Sequence, residues 1–425
     1  MPGHKGVNSI GIESFDITEI SGADNLYAPC GIIEQSESNA CELFGTQKTL
    51  YSTEGSSLAI RTMLYLVCLD SKKKGKKPLI AAARNVHKSF IYSAALLDFD
   101  VKWLYSDKTS LCSCIITPEF LDTFLNQCNP KPCAVYVTSP DYLGNIQDIS
   151  ALANVCKKHG VYLLVDNAHG AYTKFLDKDI HPITLGADMC CDSAHKTLPV
   201  LTGGAYLHIS KGVSSNICDN AKSCMAMFAS TSPSYLILQS LDKANKVLNT
   251  TFRQDLQQCI SNVLSLKKRL CNIGYNIAQS EDLKIVIRAK VYGYTGTEIA
   301  KHLENNNIFP EFYDKDFVVL MFSPYIPNES FDTVFNVLSQ LKQKTSIDEK
   351  APCLVLSDRQ MSIRQALMSA RRKLSVKDAL GKILADADVS CPPAIPIAIC
   401  GEKITNEHIN TFQYYGINEV FVVDE

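Results

Sequence analysis

Hydrophobic and polar positions along this chain follow two rhythms. From Ser56 to Leu69 the apolar residues fall at helical spacing, and the charged run Lys72 to Lys77 closes that stretch as a solvated turn. Short apolar runs then alternate with helical stretches. "PLIAAA", "VKWLY", "CAVYVTS", "VYLLVD", "ADMCCD" and "GAYLHI" read as six strands, with helices predicted over Lys88–Leu97, Glu119–Gln127 and Ile149–His159. Continuous Val/Ile/Leu-rich strands separated by helices point to an α/β fold whose sheet is mainly parallel and covered on both faces. In such sheets ligands bind beyond the carboxyl ends of the strands, so the polar residues just after each run are where chemistry is sought.

The same pattern divides the chain. Residues 1–50 lack clear periodicity and read as an irregular arm with short helices. Residues 51–240 hold the large domain. A long helical segment, "LQSLDKANKVLNTTFRQDLQQCISNVLSLKKRL", bridges to a smaller α/β domain with strands "LKIVIRA" and "FVVLMFS", together 241–345. Residues 346–425 form a C-terminal domain with a helix expected across "SIRQALMSARRKL".

Composition narrows the picture. With 425 residues, 46% apolar and 20% charged, the chain is long enough for two or three packed domains. A net charge of -2 gives no electrostatic reason to expect nucleic acid or an anionic membrane. The 17 cysteines are scattered, odd in number and often set in apolar runs, which suits small buried hydrophobes in a reducing compartment. Cys112-Ser-Cys114 has the wrong spacing for zinc and no CxxC pair faces a His pair, so no metal site is expected. The N-terminus lacks a signal peptide's apolar core, and no apolar run reaches the roughly 18–20 residues of a membrane span. A cytoplasmic protein is expected.

Three polar groups fall at predicted strand or helix ends. Asp166 closes "VYLLVD", Lys196 follows "ADMCCDSAHK", and Ser52 to Ser57 precede the first long helix. Alone, Asp166 would be a turn cap, the serines a capped helix start and Lys196 one more solvated lysine. Together they fit pyridoxal-5′-phosphate (PLP). That cofactor needs a lysine amine for an imine, a carboxylate against its pyridine nitrogen, and N–H groups with small hydroxyls for its phosphate. Lys196, Asp166 and Gly55-Ser56-Ser57 offer these, with Ser193 and His195 as further phosphate donors.

With those residues in hand, the chain resembles the ornithine/lysine/arginine decarboxylase family of the type I (aspartate aminotransferase) PLP fold. The likeness runs through "MPGHKG", "DITEISGADNLYAPCGII", "STEGSS", "ARNVHKS", "TSPDYLGNIQDI", "LLVDNAHGA", "SAHKTLPVLTGGAYLH" and "STSPSY", and more weakly through "DALGKI" and "CPPAIPIAICGE". It implies a seven-stranded-type sheet and a homodimer with sites at the interface. It also implies roles. Lys196 carries the cofactor and moves protons, Asp166 pairs with the pyridinium, and His87 stacks on the ring. Ala168 and His169 lie beside the ring, while Gly55, Ser56, Ser57, Ser193 and His195 surround the phosphate. Ser230 or Thr231 reaches the phosphate of a neighbouring subunit. Relatives usually have a helix before "PGHK", so the true start is expected upstream or the enzyme is minimal.

The implied reaction is decarboxylation of lysine, ornithine or arginine to a polyamine precursor. Glu311, Asp314 and Glu402 are candidates to meet the substrate's distal cation. Besides "CPPAIP", which stands where Tyr-Pro-Pro-Gly-Ile-Pro is more usual, four single positions depart from the family pattern: Asn167 stands where Glu is common, Asp192 where Gln is, Asp141 where Thr is, and Glu54 where a small polar residue is. These bear on the substrate rather than on the cofactor. An aminotransferase or a lyase/aldolase of the same fold, using Arg288, Arg359 or Arg364 on the substrate carboxylate, is the alternative reading. An inactive homologue with a binding role is the third.

Overall fold

The apolar runs assemble into one seven-stranded sheet. Its strands are β1 (Lys48–Ser52), β2 (Leu79–Ala83), β3 (Asp100–Leu104), β4 (Ala134–Thr138), β5 (Tyr162–Asp166), β6 (Met189–Asp192) and β7 (Ala205–Ile209), in the order β1-β7-β6-β5-β4-β2-β3. β4, β5 and β6 run parallel, and β7 is antiparallel to both β6 and β1. The computed structural model describes residues 2–105, 111–353, 357–387, 390–391 and 395–424. Part of the "CPPAIP" stretch, residues 392–394, lies outside them.

By contacts the chain divides into two compact units: residues 1–81, 117–139 and 148–256, and residues 82–116, 140–147 and 257–425. In the first, the 1–50 arm is more ordered than its composition suggests. It contains the 13-residue helix α1 (Ile32–Phe44) before β1 joins the sheet. Helix α2 (Gly55–Lys73) ends at the lysine run, where Lys72 and Lys73 suit the negative end of the helix dipole. Helix α3 (Lys88–Leu97) belongs to the second unit. Helix α4 (Pro118–Gln127) starts with a Thr117 cap, Pro118 and Glu119, and α5 (Ile149–His159) is capped by Asp148 and stopped by Gly160 at φ 65°. The short α6 (Ala194–Thr197) and α7 (Ser215–Ala226) complete its middle. The predicted long bridging helix is two helices, α8 (Tyr235–Thr250) and α9 (Phe252–Asn272), meeting at Thr251. β4 and β7 are buried along their whole length, as are Leu163, Leu164, Val165, Cys190 and Cys191.

The second unit carries an antiparallel sheet of β8 (Ile277–Ala278), β9 (Lys284–Arg288), β10 (Phe312–Tyr313) and β11 (Phe317–Met321), ordered β10-β11-β9-β8. Helices α10 (Gly296–Glu304) and α11 (Glu329–Ser339) follow its pattern. Toward the C-terminus, α12 (Ile363–Met368) ends earlier than predicted. Arg371–Ser375 forms β12, and β13 (Ser390–Cys391), β14 (Ile395–Pro396), α13 (Asn406–Tyr414) and β15 (Glu419–Val423) follow. β12 pairs with β15, and that non-local pairing overrides the helical propensity of "ARRKL". One apolar core, with Val286, Phe312, Val319, Leu384, Phe412 and Val422, joins the small α/β stretch to the C-terminal stretch.

Candidate active site

The carboxyl end of β5 presents Asp166, which is 2% exposed. Its two oxygens are met by protein donors. Tyr136 O–H, from β4, donates to Oδ2 at 3.1 Å, and the Ala168 N–H donates to Oδ1 at 3.2 Å. The Cys191 thiol, from β6, lies 3.6 Å from Oδ1. Burial first, and then the Asp166 charge, push the Tyr136 hydroxyl and the Cys191 thiol well up, so both keep the proton they donate. A buried carboxylate held this way is fixed in place before any ligand arrives.

One strand over, β6 ends at Asp192 and the chain turns through Ser193 into α6. The half-buried Lys196 Nζ donates to His169 Nε2 at 2.9 Å. His169 is 3% exposed and stands three residues after Asp166 on the turn that leaves β5. Asp166, Ala168, His169 and Lys196 are therefore brought to neighbouring strand ends. His195 is near but committed: its Nδ1 and its backbone N–H both reach the Gly204 carbonyl, at 3.1 and 3.2 Å.

The start of α2 lies against the same turn. Ser193 Oγ donates to Ser56 Oγ at 2.8 Å. Gly55 has φ +71°, and a Cβ built there would meet nothing within 4 Å, so the helix opens onto space. The first turn of any helix offers N–H groups with no intrahelical acceptor; Gly55, Ser56 and Ser57 occupy that turn, and the Gly55 N–H already donates to the Gly203 carbonyl at 2.7 Å. Glu54, acidic where a phosphate would be opposed, accepts the Ser230 backbone N–H at 2.7 Å. That bond draws exposed Ser230, with Thr231 beside it, to this chain's own helix start.

The remaining predicted residues lie in the second unit. His87 caps α3: its Nδ1 accepts the Ser89 N–H at 3.1 Å and pairs with Ser89 Oγ at 2.8 Å. Glu311 is partly exposed at the start of the β10–β11 hairpin, its N–H donating to the Val319 carbonyl. Glu402 corrects the expectation made for it. It is 5% exposed, accepts the Ile399 N–H at 2.9 Å, and feels burial raise its carboxyl pKa against the pull of Arg84. Such an enclosed acid supports the fold rather than a ligand. Asp314 is likewise turned inward, accepting the Asp316 and Phe317 N–H groups at 2.7 Å, and burial brings it up to about 6.

A buried polar cluster beneath β5 and β6 had no local signature. Asn167 Nδ2 donates to Asp192 Oδ1 at 2.7 Å, while His181 Nε2 and His208 Nε2 reach Asp192 Oδ2 at 3.0 and 3.2 Å. Burial opposes the Asp192 charge, but the two histidines outweigh it and hold the carboxyl well below its usual range. His181 Nε2, Cys190 Sγ and an Asp192 oxygen also lie within 4.8 Å of one another, a set with metal-ligand chemistry that a search for CxxC spacing does not find. Its members come from separate segments, so only the departures at 167 and 192 pointed to it.

Residues 10–292 match the family described as Orn/Lys/Arg decarboxylase, major domain. The chain is 32% identical to an arginine decarboxylase of Bacillus subtilis (strain 168), over 93% of this chain and 84% of the relative. Among solved structures it superposes on lysine decarboxylase A from Pseudomonas aeruginosa with a TM-score of 0.84, at 15% identity, over 100% of this chain and 78% of the other. A structure of SPT with PLP shares the architecture more distantly, with a TM-score of 0.57 and 14% identity over 72% of this chain and 75% of that one. Among the described residues no helix is long and apolar enough to cross a membrane.

Proposed function

Because this chain belongs to the Orn/Lys/Arg decarboxylase family, we propose that it decarboxylates a basic amino acid (lysine, ornithine or arginine) with pyridoxal-5′-phosphate bound at Lys196. The observation that carries the reading is the juxtaposition of a donor-fixed carboxylate, Asp166, with a lysine amine bonded to the histidine on the same turn. When bound, the cofactor supplies an aldehyde for amines to condense with and a pyridine ring that accepts the electron pair released as CO2 leaves.

The residues present fit that group. Asp166 offers a carboxyl group to the ring nitrogen, and its protein donors keep it oriented. The Gly55 opening, with the Ser56 and Ser193 hydroxyls 2.8 Å apart, offers a cradle for a phosphate at the positive end of α2. Lys196 Nζ can pass a proton to His169 Nε2, leaving an uncharged amine able to act as nucleophile or base. His169 and Ala168 would line the ring, and His87 would stack on it. His195 would contribute through its backbone turn, since its Nδ1 serves Gly204.

Glu311, partly exposed, is the acid we favour for the substrate's distal cation; Glu402 is too enclosed. The product would be a polyamine precursor. A dimer would place its sites at the interface, but Ser230 and Thr231 stand at this chain's own helix start, where the Glu54 bond holds Ser230, rather than at a partner's. Free thiols throughout the described residues suit a reducing, cytoplasmic setting.

Each turnover replaces the carboxylate at Cα with a proton, so one CO2 appears per proton consumed. Incubating the PLP-loaded protein with lysine, ornithine and arginine separately should release CO2 from at least one, with the matching amine identified by mass. A protein that holds PLP but releases CO2 from none, or that yields pyridoxamine phosphate with a keto acid, would refute the assignment.

A further inference from the structure

β5 and β6 run parallel, pairing as far as Asp166 with Cys191, and there their chains separate. The last backbone bond between them is Asn167 N–H to the Cys191 carbonyl at 3.0 Å. Beyond it, one chain carries Ala168 and His169, and the other carries Ser193 to Lys196. At the point of separation the side chains meet, as Asn167 Nδ2 donates to Asp192 Oδ1 at 2.7 Å. Both residues are essentially buried, at 1% and 0% exposure.

The far oxygen of Asp192 is held as firmly. His208 Nδ1 pairs with Thr49 Oγ1 at 2.9 Å, which in turn pairs with Thr46 Oγ1 at 2.7 Å. Its Nε2 faces Asp192. His181 Nδ1 accepts the Ile183 N–H at 3.4 Å, so its proton sits on Nε2 and points at Asp192. That tautomer leaves His181 Nε2 no lone pair for a metal. Phe44 lies 4.3 Å from the His208 ring and 5.4 Å from the His181 ring, centroid to centroid, closing the cluster from below. Three N–H donors thus surround one buried carboxylate.

We propose that Asp192 is a positioning residue of the cofactor site: anchored by His181 and His208, it holds Asn167 and so fixes Asp166 relative to Lys196. The inference rests on the PLP reading above. It follows from which oxygen serves which partner. One oxygen takes both histidines and the other takes Asn167, so an amide at 192 and an acid at 167 would keep all three hydrogen bonds with every donor and acceptor matched. An amide at 192 alone could be met by Asn167 turning its own amide over, whereas an acid at 167 alone would set two carboxylates against each other with no N–H between them.

The test compares the parent, Asn167→Asp and the double exchange Asn167→Asp/Asp192→Asn, each full length. PLP affinity, the visible circular dichroism of bound PLP and the unfolding midpoint of the apoprotein are measured. Asn167→Asp should weaken PLP roughly tenfold or more, the size of one lost hydrogen bond to a charged group, and diminish the visible dichroism. The double exchange should return both to near the parent.

If Asn167→Asp does not fold, a folded double exchange with near-parental PLP affinity still supports the clamp, and an unfolded one overturns it. An Asn167→Asp protein with a lowered midpoint but parental PLP affinity and dichroism would overturn it, as would a double exchange no better than the single. One equivalent of zinc in the parent, lost in the double exchange, would replace it with a metal site. A parent that takes up no PLP overturns the cofactor reading as well, whereas a PLP-loaded parent with a failed exchange overturns the clamp alone.

Discussion

Tyr136→Phe removes one oxygen from beside Asp166 and changes almost no volume. The lost hydroxyl is fully buried and donates to Asp166 Oδ2 at 3.1 Å. The other two donors, Ala168 N–H and the Cys191 thiol, both serve Oδ1. Oδ2 of the apoprotein therefore loses this contact with nothing on the far oxygen to replace it. A hydrogen bond to a charged acceptor contributes about 1.5–3 kcal/mol, and we expect the apoprotein to lose stability in that range.

The loaded protein should lose less. Under the proposed pairing, a pyridinium nitrogen presented to Asp166 would take over part of the stabilisation that the tyrosine gave, and the carboxylate freed from Tyr136 would bind it more strongly. PLP affinity should hold or tighten, by at most about tenfold if some 1.4 kcal/mol is recovered. Urea unfolding of the apoprotein, followed by fluorescence and far-ultraviolet dichroism, measures the first quantity, and PLP titration followed by visible absorbance measures the second. An apoprotein within about 0.5 kcal/mol of the parent, the usual range for inconsequential substitutions, would show that the hydroxyl does not support Asp166. A tenfold loss of PLP affinity would show that Tyr136 supports the cofactor rather than competing with it.

Two further substitutions test the scaffold. Asp24 accepts the N–H groups of Asn25, Cys30, Gly31 and Ile33 at 2.8–3.0 Å, and although burial opposes the charge, these bonds bring its carboxyl down to about 2 from 3.8. A depressed pKa contributes stability above 3.8 that is lost as pH falls through about 2; Asp24→Asn should therefore cost about 1–2 kcal/mol at pH 7 after screening at this partly exposed site, and a gap to the parent that stays constant from pH 4 toward 2 would refute the assignment. At Gly296 a Cβ would come within 2.2 Å of the Asp314 carbonyl oxygen and 2.3 Å of that of Phe317, so Gly296→Ala should displace the start of α10 and lower the second unit's stability by about 3 kcal/mol in urea, with an unchanged midpoint as the refuting result.

Where local chemistry marks an element's ends, the sequence located it closely. α5 covers Ile149–His159 as predicted, between the Asp148 cap and Gly160, and α3 covers Lys88–Leu97 behind the His87 cap. The strand ends that carry Asp166 and precede Lys196 were legible for the same reason, since each closes a short apolar run of strand length. What failed was non-local. "SIRQALMSARRKL" has helical composition throughout, yet its second half pairs with Glu419–Val423, some fifty residues on. The Asp192 cluster draws Thr49, Asn167, His181 and His208 from four separate segments, and no window of sequence contains more than two of its members with a recognisable spacing. Glu402 misled because an acid in a polar-looking "CGEK" run gives no sign that its oxygens face Ile399 and Arg84.

The four departures from the family pattern show what transferring roles one residue at a time leaves out. Asn167 and Asp192 each look like the loss of an expected group, yet they are bonded to each other, so an acid and an amide still meet across β5 and β6. Glu54 would oppose a phosphate if it pointed inward, but its carboxylate takes the Ser230 N–H. Asp141 accepts both the backbone N–H and the side-chain amide of Asn145, at 2.9 and 3.0 Å, while Lys284 is bonded to its carbonyl. Asn167, Asp192 and Asp141 are buried and bonded within their own units, so they leave little hydrogen-bonding capacity for a ligand, while exposed Glu54 is turned to Ser230. The substitutions therefore alter how the scaffold is braced more than what it recognises. Under the proposed role of Glu311, a substrate panel run on Glu311→Gln should change the preference among the three amino acids while leaving PLP affinity within about twofold of the parent.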